Sequence, residues 1–402
     1  MIYDFEGQKV ASQGDLFLKD NGVLRARMIA EQMTKLAWTT TADGMPITDN
    51  GGTYNAGGGA TGMPYSSASM EDGYIGISVS IYSFLSALHN PRSMLYTTPS
   101  KGYTGGAFYG TVCTGLVCAA WGLPCLVTTA AFPKADFIRE VSWDDIRIGD
   151  MLLIGGHAKL VVDVIRDATG AVTHARAYES TRPVCIDDGL QTFENFKAYN
   201  SGAKVCRFNG INSVSAYNPL PLLPQMDEIG GEIEFPDVMT CFGDKVTRLK
   251  GTDITINVLD SSGYSSIQVF RNRSRISTHS VADFTLEAPD VGLYEVRMIG
   301  TEKQSSTYFD IVDCKASIDG NTLSFWTDYQ ALAVGAYPSY TVDSNGKATT
   351  WNNPKNVAFL TEEEVLNGKM DITKLRADGE CDGGVRIYVR GAYGSVSLEV
   401  PY

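Results

Sequence analysis

The chain has 402 residues, 44% of them hydrophobic and 20% charged, and carries a formal net charge of −13. This composition excludes an intrinsically disordered chain and leaves room for two or three domains. The acidic balance argues against a nucleic-acid binder, whose footprint is basic, and with no run of 18 apolar residues no membrane-spanning helix is expected.

The opening stretch MIYDFEGQKVASQGDLFLKD lacks a basic region followed by an apolar core and does not read as a signal peptide. Residues 23–37 carry the period of an amphipathic helix. The glycine-rich stretch 43–67 then reads as a long loop. A second helical stretch, VSIYSFLSALHNP, is ended by Asn90 and Pro91. In YGTVCTGLVCAAWGLP, residues 109–124, apolar side chains recur at Leu116, Val117, Ala120 and Trp121, the spacing of a buried helix face, and Gly122 and Pro124 stop it.

From about residue 150 the period changes to two. DMLLIGGHAKLVVDVIRD and AVTHARAYEST are strand-like runs joined by DATG, a hairpin turn, and VCRFNGI adds another strand. Helices first and a short antiparallel sheet after them make residues 1–217 an α+β unit. A stretch with four prolines follows, and 218–236 reads as a linker. Beyond it, short alternating strands predict an immunoglobulin-like β-sandwich over 237–313, in which Tyr294 stands where a tyrosine closes a corner. A further β-rich domain spans 314–402 and holds one helical signal, TEEEVLNG, with Thr361 and Glu364 forming a capping box.

The eight cysteines show no C-x-x-C pair, so neither a zinc ribbon nor a dense disulfide framework is indicated. Cys118 and Cys125 lie among apolar residues and read as packing residues, and Cys185 and Cys206 are candidates for a pair. Asp144, Asp145 and Asp150 cluster without the spacing of a calcium loop, so no metal is expected.

Cys113 differs from the other cysteines by its place. In the first turn of a helix, unpaired N–H groups and the helix dipole favour a thiolate. Free cysteines are more often inert core residues, so a nucleophile here needs a base held by a third polar group. Of the four histidines, His157 follows Gly155 and Gly156 at the mouth of a strand and is the candidate base. Alternation gives His157, Lys159, Val161 and Asp163 one face. On the next strand His174, Arg176 and Tyr178 share one face and Ala175, Ala177 and Glu179 the other. Either His174 or Glu179 satisfies the orienting role, and parity leaves both open.

Together, Cys113-Thr114-Gly115-Leu116, then Gly149-Asp150-Met151-Leu152 and His157, then a polar strand, resemble the NlpC-type peptidases. These are papain-like cysteine enzymes that cut peptide bonds in bacterial cell walls. The resemblance spans about 60–210, roughly half the chain. It implies a papain-like helix-plus-antiparallel-sheet domain with Cys113 as nucleophile, His157 as base and no cofactor. Its substrates would be peptidoglycan peptide stems or a related amide, and its location extracellular or at the cell envelope. The family's Gly-x-Pro-Tyr motif matches TGMPY and offers Tyr65 as a substrate-lining residue, and Tyr109 is the second candidate to line the groove. The YEST stretch resembles the related CHAP amidases and favours Glu179 over His174 as third residue.

Two departures stand out. Val112 occupies the position where the family usually has Asp, and Tyr65 lies 48 residues before Cys113, farther than usual. The intervening segment 66–108 reads as an insertion expected to wall one side of the groove. These departures motivate a rival reading, a catalytically inactive papain-like domain that serves with the β-domains in surface binding or adhesion.

Overall fold

The computed structural model describes residues 22–47, 51–66, 73–98, 106–123, 126–135, 137–211, 233–327, 332–342, 348–350, 362–373 and 384–402. None of the described helices is long and apolar enough to cross a membrane.

The N-terminal unit is built on a seven-stranded antiparallel sheet. Its main path runs Gln191–Thr192, Val172–Ser180, His157–Arg166, Met151–Ile154, Lys204–Phe208, Ile138–Val141, with Cys185–Asp187 also pairing to Val172–Ser180. One face takes Met151, Leu153, Leu160 and Val162 into a core with Ala26, Ile29 and Met33 of helix Gly22–Lys35 and Leu116, Val117 and Ala120 of helix Cys113–Trp121. The other face sets Leu152, Val161, Ala175, Ala177 and Val205 against Phe196 of helix Phe193–Tyr199. With both faces covered, the central strands lose the clean alternation of a half-exposed sheet.

Three features depart from the periodic pattern. The apolar run 150–167 is two strands, Met151–Ile154 and His157–Arg166, joined at Gly155-Gly156, which both take positive φ (28° and 95°). A two-residue turn of that kind favours glycine at both positions. The helix Phe193–Tyr199 was not foreseen; Thr192 caps it, its hydroxyl accepting from the Asn195 N–H. Cys185 and Cys206 are buried free thiols and form no pair. The cluster at Asp145 and Asp150 is neutralised by Arg207, which grips the buried Asp150 carboxylate through Nε and Nη2, both at 2.8 Å.

The first β-unit is an immunoglobulin-like sandwich. A three-stranded sheet (Val238–Thr240, Ile254–Val258, Phe284–Leu286) faces a five-stranded one (Val246–Leu249, Gln304–Val312, Gly292–Gly300, Tyr264–Arg271, Ser274–His279). The corner is as expected: Tyr294 is buried and its hydroxyl donates to the Asp290 carbonyl at 2.6 Å. The run 246–258, which reads as one alternating strand, is divided by Thr252 and Asp253 between the two sheets. The C-terminal β-rich unit is a second sandwich of corresponding order. Cys314–Asp319, Thr322–Thr327 and Lys369–Asp371 form one sheet, and Ala348–Thr350, Leu332–Val342, Gly384–Arg390 and Ser395–Pro401 the other. Helix Glu362–Asn367 lies at the expected place; Thr361, its expected cap, lies outside the described residues, as do 218–232 of the expected linker and Cys125.

The helix of the insertion packs on the first sandwich, while segments 67–72 and 99–105 of the expected groove wall lie outside the described residues. Helix Ile81–His89, capped by Ser80, turns its polar residues onto the first sandwich rather than onto a groove. Tyr82 Oη donates to Asp244 Oδ2 (2.9 Å) and Ser83 Oγ to the Lys245 carbonyl (2.7 Å), while the Asp244 N–H donates to Ser86 Oγ (2.8 Å). Asn90, fully buried, donates through Nδ2 to the Thr240 carbonyl (3.1 Å) and to Asn257 Oδ1 (2.9 Å). The second sandwich joins the same place, where Ser395 donates to the Ile77 carbonyl through Oγ and to the Ser78 carbonyl through its N–H, each at 2.9 Å. The described part of the insertion is therefore the joint between the three units.

Asn90→Ala tests this joint. It leaves Asn257 Oδ1 buried without its donor and takes from the Thr240 carbonyl one of two, the Gly243 N–H remaining, and we expect a loss of about 2 kcal/mol in denaturant unfolding. The early transition should be the one that moves, and proteolytic cutting between the units should accelerate.

Candidate active site

The chain entering helix Cys113–Trp121 is held on two sides. Thr111 pairs with the 64–66 segment, its N–H donating to the Pro64 carbonyl and its carbonyl accepting from Ser66, both at 2.9 Å. Ser180 Oγ, at the end of strand Val172–Ser180, donates to the same Thr111 carbonyl at 3.3 Å. Thr114 to Trp121 are all buried, and Cys113 alone of the helix is partly open. Val112 leads in with extended backbone and no side-chain cap, so the first-turn N–H groups stay free of a capping oxygen. Gly115 is demanded by contact, since a Cβ there would come within 2.5 Å of Thr111 Oγ1.

His157 begins its strand directly after the Gly-Gly turn. Its Nε2 is hydrogen-bonded to Glu179 Oε2. Cys113 interacts with the same ring and helps to raise its pKa, and with Nε2 turned to Glu179 the nitrogen left for the sulfur is Nδ1. Burial works against the imidazolium, but the bonds to Cys113 and Glu179 outweigh it and raise His157 to about 9. Sequence parity left His174 and Glu179 level; the structure separates them. Leu160 pairs with Tyr178 and Val161 with Ala177, and continuing that register sets Glu179 opposite Lys159. His174 pairs with Ile165, beyond a bulge, and its Nδ1 meets Thr173 Oγ1 at 3.2 Å. His174 therefore stands away from His157.

Two further residues complete the arrangement, and both escaped the sequence reading. Lys159 Nζ donates to Glu179 Oε1 at 2.9 Å and to Asp188 Oδ2 at 2.8 Å, with Lys159 only 5% exposed. It also lies 4.5 Å from the ring centre of Tyr199. Burial pushes the Glu179 carboxyl up, yet its bonds to His157, Asp188 and Lys159 prevail and hold it below the usual range. Asp188 is pushed the other way, by burial first and by Glu179 across the shared ammonium, against the pull of Lys159. The available signal was the alternation of HAK, which puts Lys159 on the face of His157.

A cavity of about 350 Å³ opens on this group, lined by Tyr65, His157, Ser180, Thr181 and Arg182. Tyr65 thus shares this cavity with His157. Tyr109 does not. It is fully buried, its hydroxyl donating to the Phe242 carbonyl (2.9 Å) and accepting from Arg248 Nη2, so it faces the first sandwich. Chemically, the arrangement offers a half-open thiol at a helix start, an imidazole beside it and a buried carboxylate that fixes the ring.

No family model matches the chain, and no curated protein matches it. Among solved structures, it is similar to the CD2-binding domain of CD58, with 8% identity, 38% of this chain and 93% of that one covered, and a TM-score of 0.20. A chimeric titin Z1Z2-Z1Z2 tandem gives 10%, 39%, 93% and 0.16, and the fibronectin(III)-like modules of Clostridium thermocellum CbhA give 11%, 39%, 87% and 0.15. The sandwich architecture of the C-terminal half is defined by its own strand order.

Two expectations follow from this geometry. With its folded value raised from an ordinary 6.5 to about 9, His157 contributes stability that is complete below about pH 6.5 and lost as pH rises through 9. NMR titration of the imidazole should place its midpoint near 9, and Glu179→Gln, which removes the anionic partner, should bring it down. Lys159→Met leaves two buried carboxylates facing each other and should cost roughly 3–5 kcal/mol in denaturant unfolding at pH 7.

Proposed function

We propose that the chain is a papain-like cysteine peptidase or amidase that hydrolyses amide bonds in bacterial cell-wall peptides and works at the cell envelope or outside the cell. The observation that carries the reading is that Cys113, at a helix N-terminus, interacts with His157, whose Nε2 is hydrogen-bonded to the buried Glu179, beside a cavity that His157 lines. The choice of cell-wall peptides rests on the resemblance of Cys113-Thr114-Gly115 and Gly149-Asp150 with His157 to the NlpC-type motifs.

The steps follow from the geometry. The Cys113 thiolate attacks the scissile carbonyl, and the carbonyl π electrons move onto oxygen. The first-turn N–H groups of the helix stabilise that oxyanion. The imidazolium of His157 gives its Nδ1 proton to the leaving amine, the C–N bond breaks and a thioester to Cys113 remains. Water then enters, His157 takes its proton, and collapse of the second tetrahedral intermediate releases the carboxylic acid and the thiolate. Glu179 holds the ring in the tautomer and orientation that both transfers need.

The test has two measurements on the full chain. Site-resolved alkylation at pH 7 should label Cys113 well ahead of Cys118 and Cys185, whose thiols burial pushes up to about 12. Wild-type protein should release amine-bearing fragments from purified peptidoglycan, detected by mass spectrometry. Cys113→Ala should release none while keeping its fold, and Glu179→Gln should lower kcat by about 10²–10⁴-fold. Wild-type turnover in Cys113→Ala refutes the nucleophile, and a Cys113 inert to alkylation favours the binding or adhesion reading instead.

A further inference from the structure

The cavity beside His157 has a charged wall that the hydrolytic chemistry above does not use. Arg182 lines it, and its guanidinium carbon lies 5.8 Å from the ring centre of Tyr65, which lines it too. This placement is set by backbone. The Tyr65 N–H donates to the Pro183 carbonyl at 2.8 Å, and Pro64 bridges to Val184, so Arg182 is tied to the same ladder that carries Tyr65 and Thr111 past Cys113. The other cations nearby are already paired: Lys159 is shared by Glu179 and Asp188, and His157 is bonded to Glu179. Arg182 is exposed, and among the described residues no carboxylate forms an ion pair with it.

We infer that Arg182 is a specificity-determining residue that receives a carboxylate of the substrate next to the scissile amide. This rests on Cys113 being the nucleophile of the proposed hydrolase. A guanidinium offers a planar pair of N–H donors that matches a carboxylate, and a charge-assisted pair of this kind is stronger than one between neutral groups. Electrostatics makes the feature informative. A chain of net charge −13 repels anionic substrates at long range. A cation that interacts with Tyr65 but is neutralised by no carboxylate among the described residues, set in the wall of the cavity, offsets that repulsion where an anionic substrate must dock. Ser180 and Thr181, on the same wall, supply hydroxyls of either hydrogen-bonding sense. The substrate class is therefore a peptide or amide with a free carboxylate one residue or less from the bond cleaved, rather than its neutral amidated counterpart.

The experiment compares two alkylating reagents of nearly equal size, iodoacetate and iodoacetamide, on the full-length protein, reading Cys113 alone by mass spectrometry. In the wild type, relative to free cysteine under the same conditions, iodoacetate should be favoured. Arg182→Ala should reduce that preference by about tenfold with the iodoacetamide rate unchanged, and Arg182→Lys should restore part of it. High salt should shrink the wild-type preference toward that of Arg182→Ala. A parallel pair of synthetic peptides, with the carboxylate free or amidated, should show the effect in KM more than in kcat. If Cys113 reacts with both reagents and the ratio is indifferent to residue 182, the carboxylate subsite is wrong and the nucleophile assignment stands. If Cys113 reacts with neither, both fall together.

Discussion

The candidate site hangs on a single buried ammonium. Lys159 is 5% exposed and shared between Glu179 and Asp188, both largely removed from solvent. An unpaired charge at such depth costs several kcal/mol, so the three groups hold each other in place. The consequence reaches the chemistry by direction. Lys159 occupies Oε1 of Glu179, so Oε2 is the oxygen that meets His157 Nε2. With Nε2 fixed, Nδ1 is the nitrogen left for Cys113. The orientation of the ring thus follows from where a lysine is buried two residues along the same strand.

A second set of buried polar groups fixes the larger architecture. Asp244 accepts from Tyr82 and Thr307 hydroxyls, at 2.9 and 2.8 Å, and links the insertion helix to the first sandwich. Asp310, fully buried and pushed by that burial up to about 6, accepts from Thr247 Oγ1 at 2.6 Å and from the Ala392 N–H at 2.8 Å, linking the first sandwich to the second. Polar joints of this type are satisfied in one relative placement of the units, whereas an apolar contact of similar area tolerates sliding. Only Asp313 separates strand Gln304–Val312 from strand Cys314–Asp319, and Val312 already packs in the core of the second sandwich. The two sandwiches therefore meet without a spacer.

How much of this the sequence disclosed depends on the distance over which the determining forces act. The helix at Cys113 was legible because its buried face repeats every three or four residues and Gly122 ends it, both local properties. Tyr294 was legible for the same reason, as its partner Asp290 is four residues away. The choice between Glu179 and His174 was not, because it depends on the register of two strands and on a bulge between Val161 and Asp163. Gly155-Gly156 was legible as the step before the strand of His157, but not as the turn that pairs this strand with Met151–Ile154. The destination of helix Ile81–His89 was hidden more deeply. Ser83, Ser86 and Asn90 look like the polar side of a surface helix, and only their partners more than 150 residues away show that they are interfacial.

Tyr109 turns that correction into a statement about the β-units. It stands four residues before Cys113, and its hydroxyl is held between the Phe242 carbonyl and Arg248, both in the first sandwich. Arg248 is itself buried, donates to the Thr247 carbonyl at 2.9 Å and lies 4.1 Å over the Phe242 ring, so its position is fixed within the sandwich. The segment Tyr109–Val112 is consequently anchored to the sandwich at one end and runs directly into the helix that carries Cys113 at the other. Thr111 in its middle bonds to Ser66 and receives Ser180, the strand neighbour of Glu179. A sandwich attached only as a targeting module would leave this segment to the N-terminal unit alone. Here, removing it would take the Phe242 carbonyl and Arg248 from the buried tyrosine hydroxyl and loosen the chain leading into the helix that carries Cys113. The first sandwich is thereby part of the scaffold that positions the start of the helix carrying Cys113.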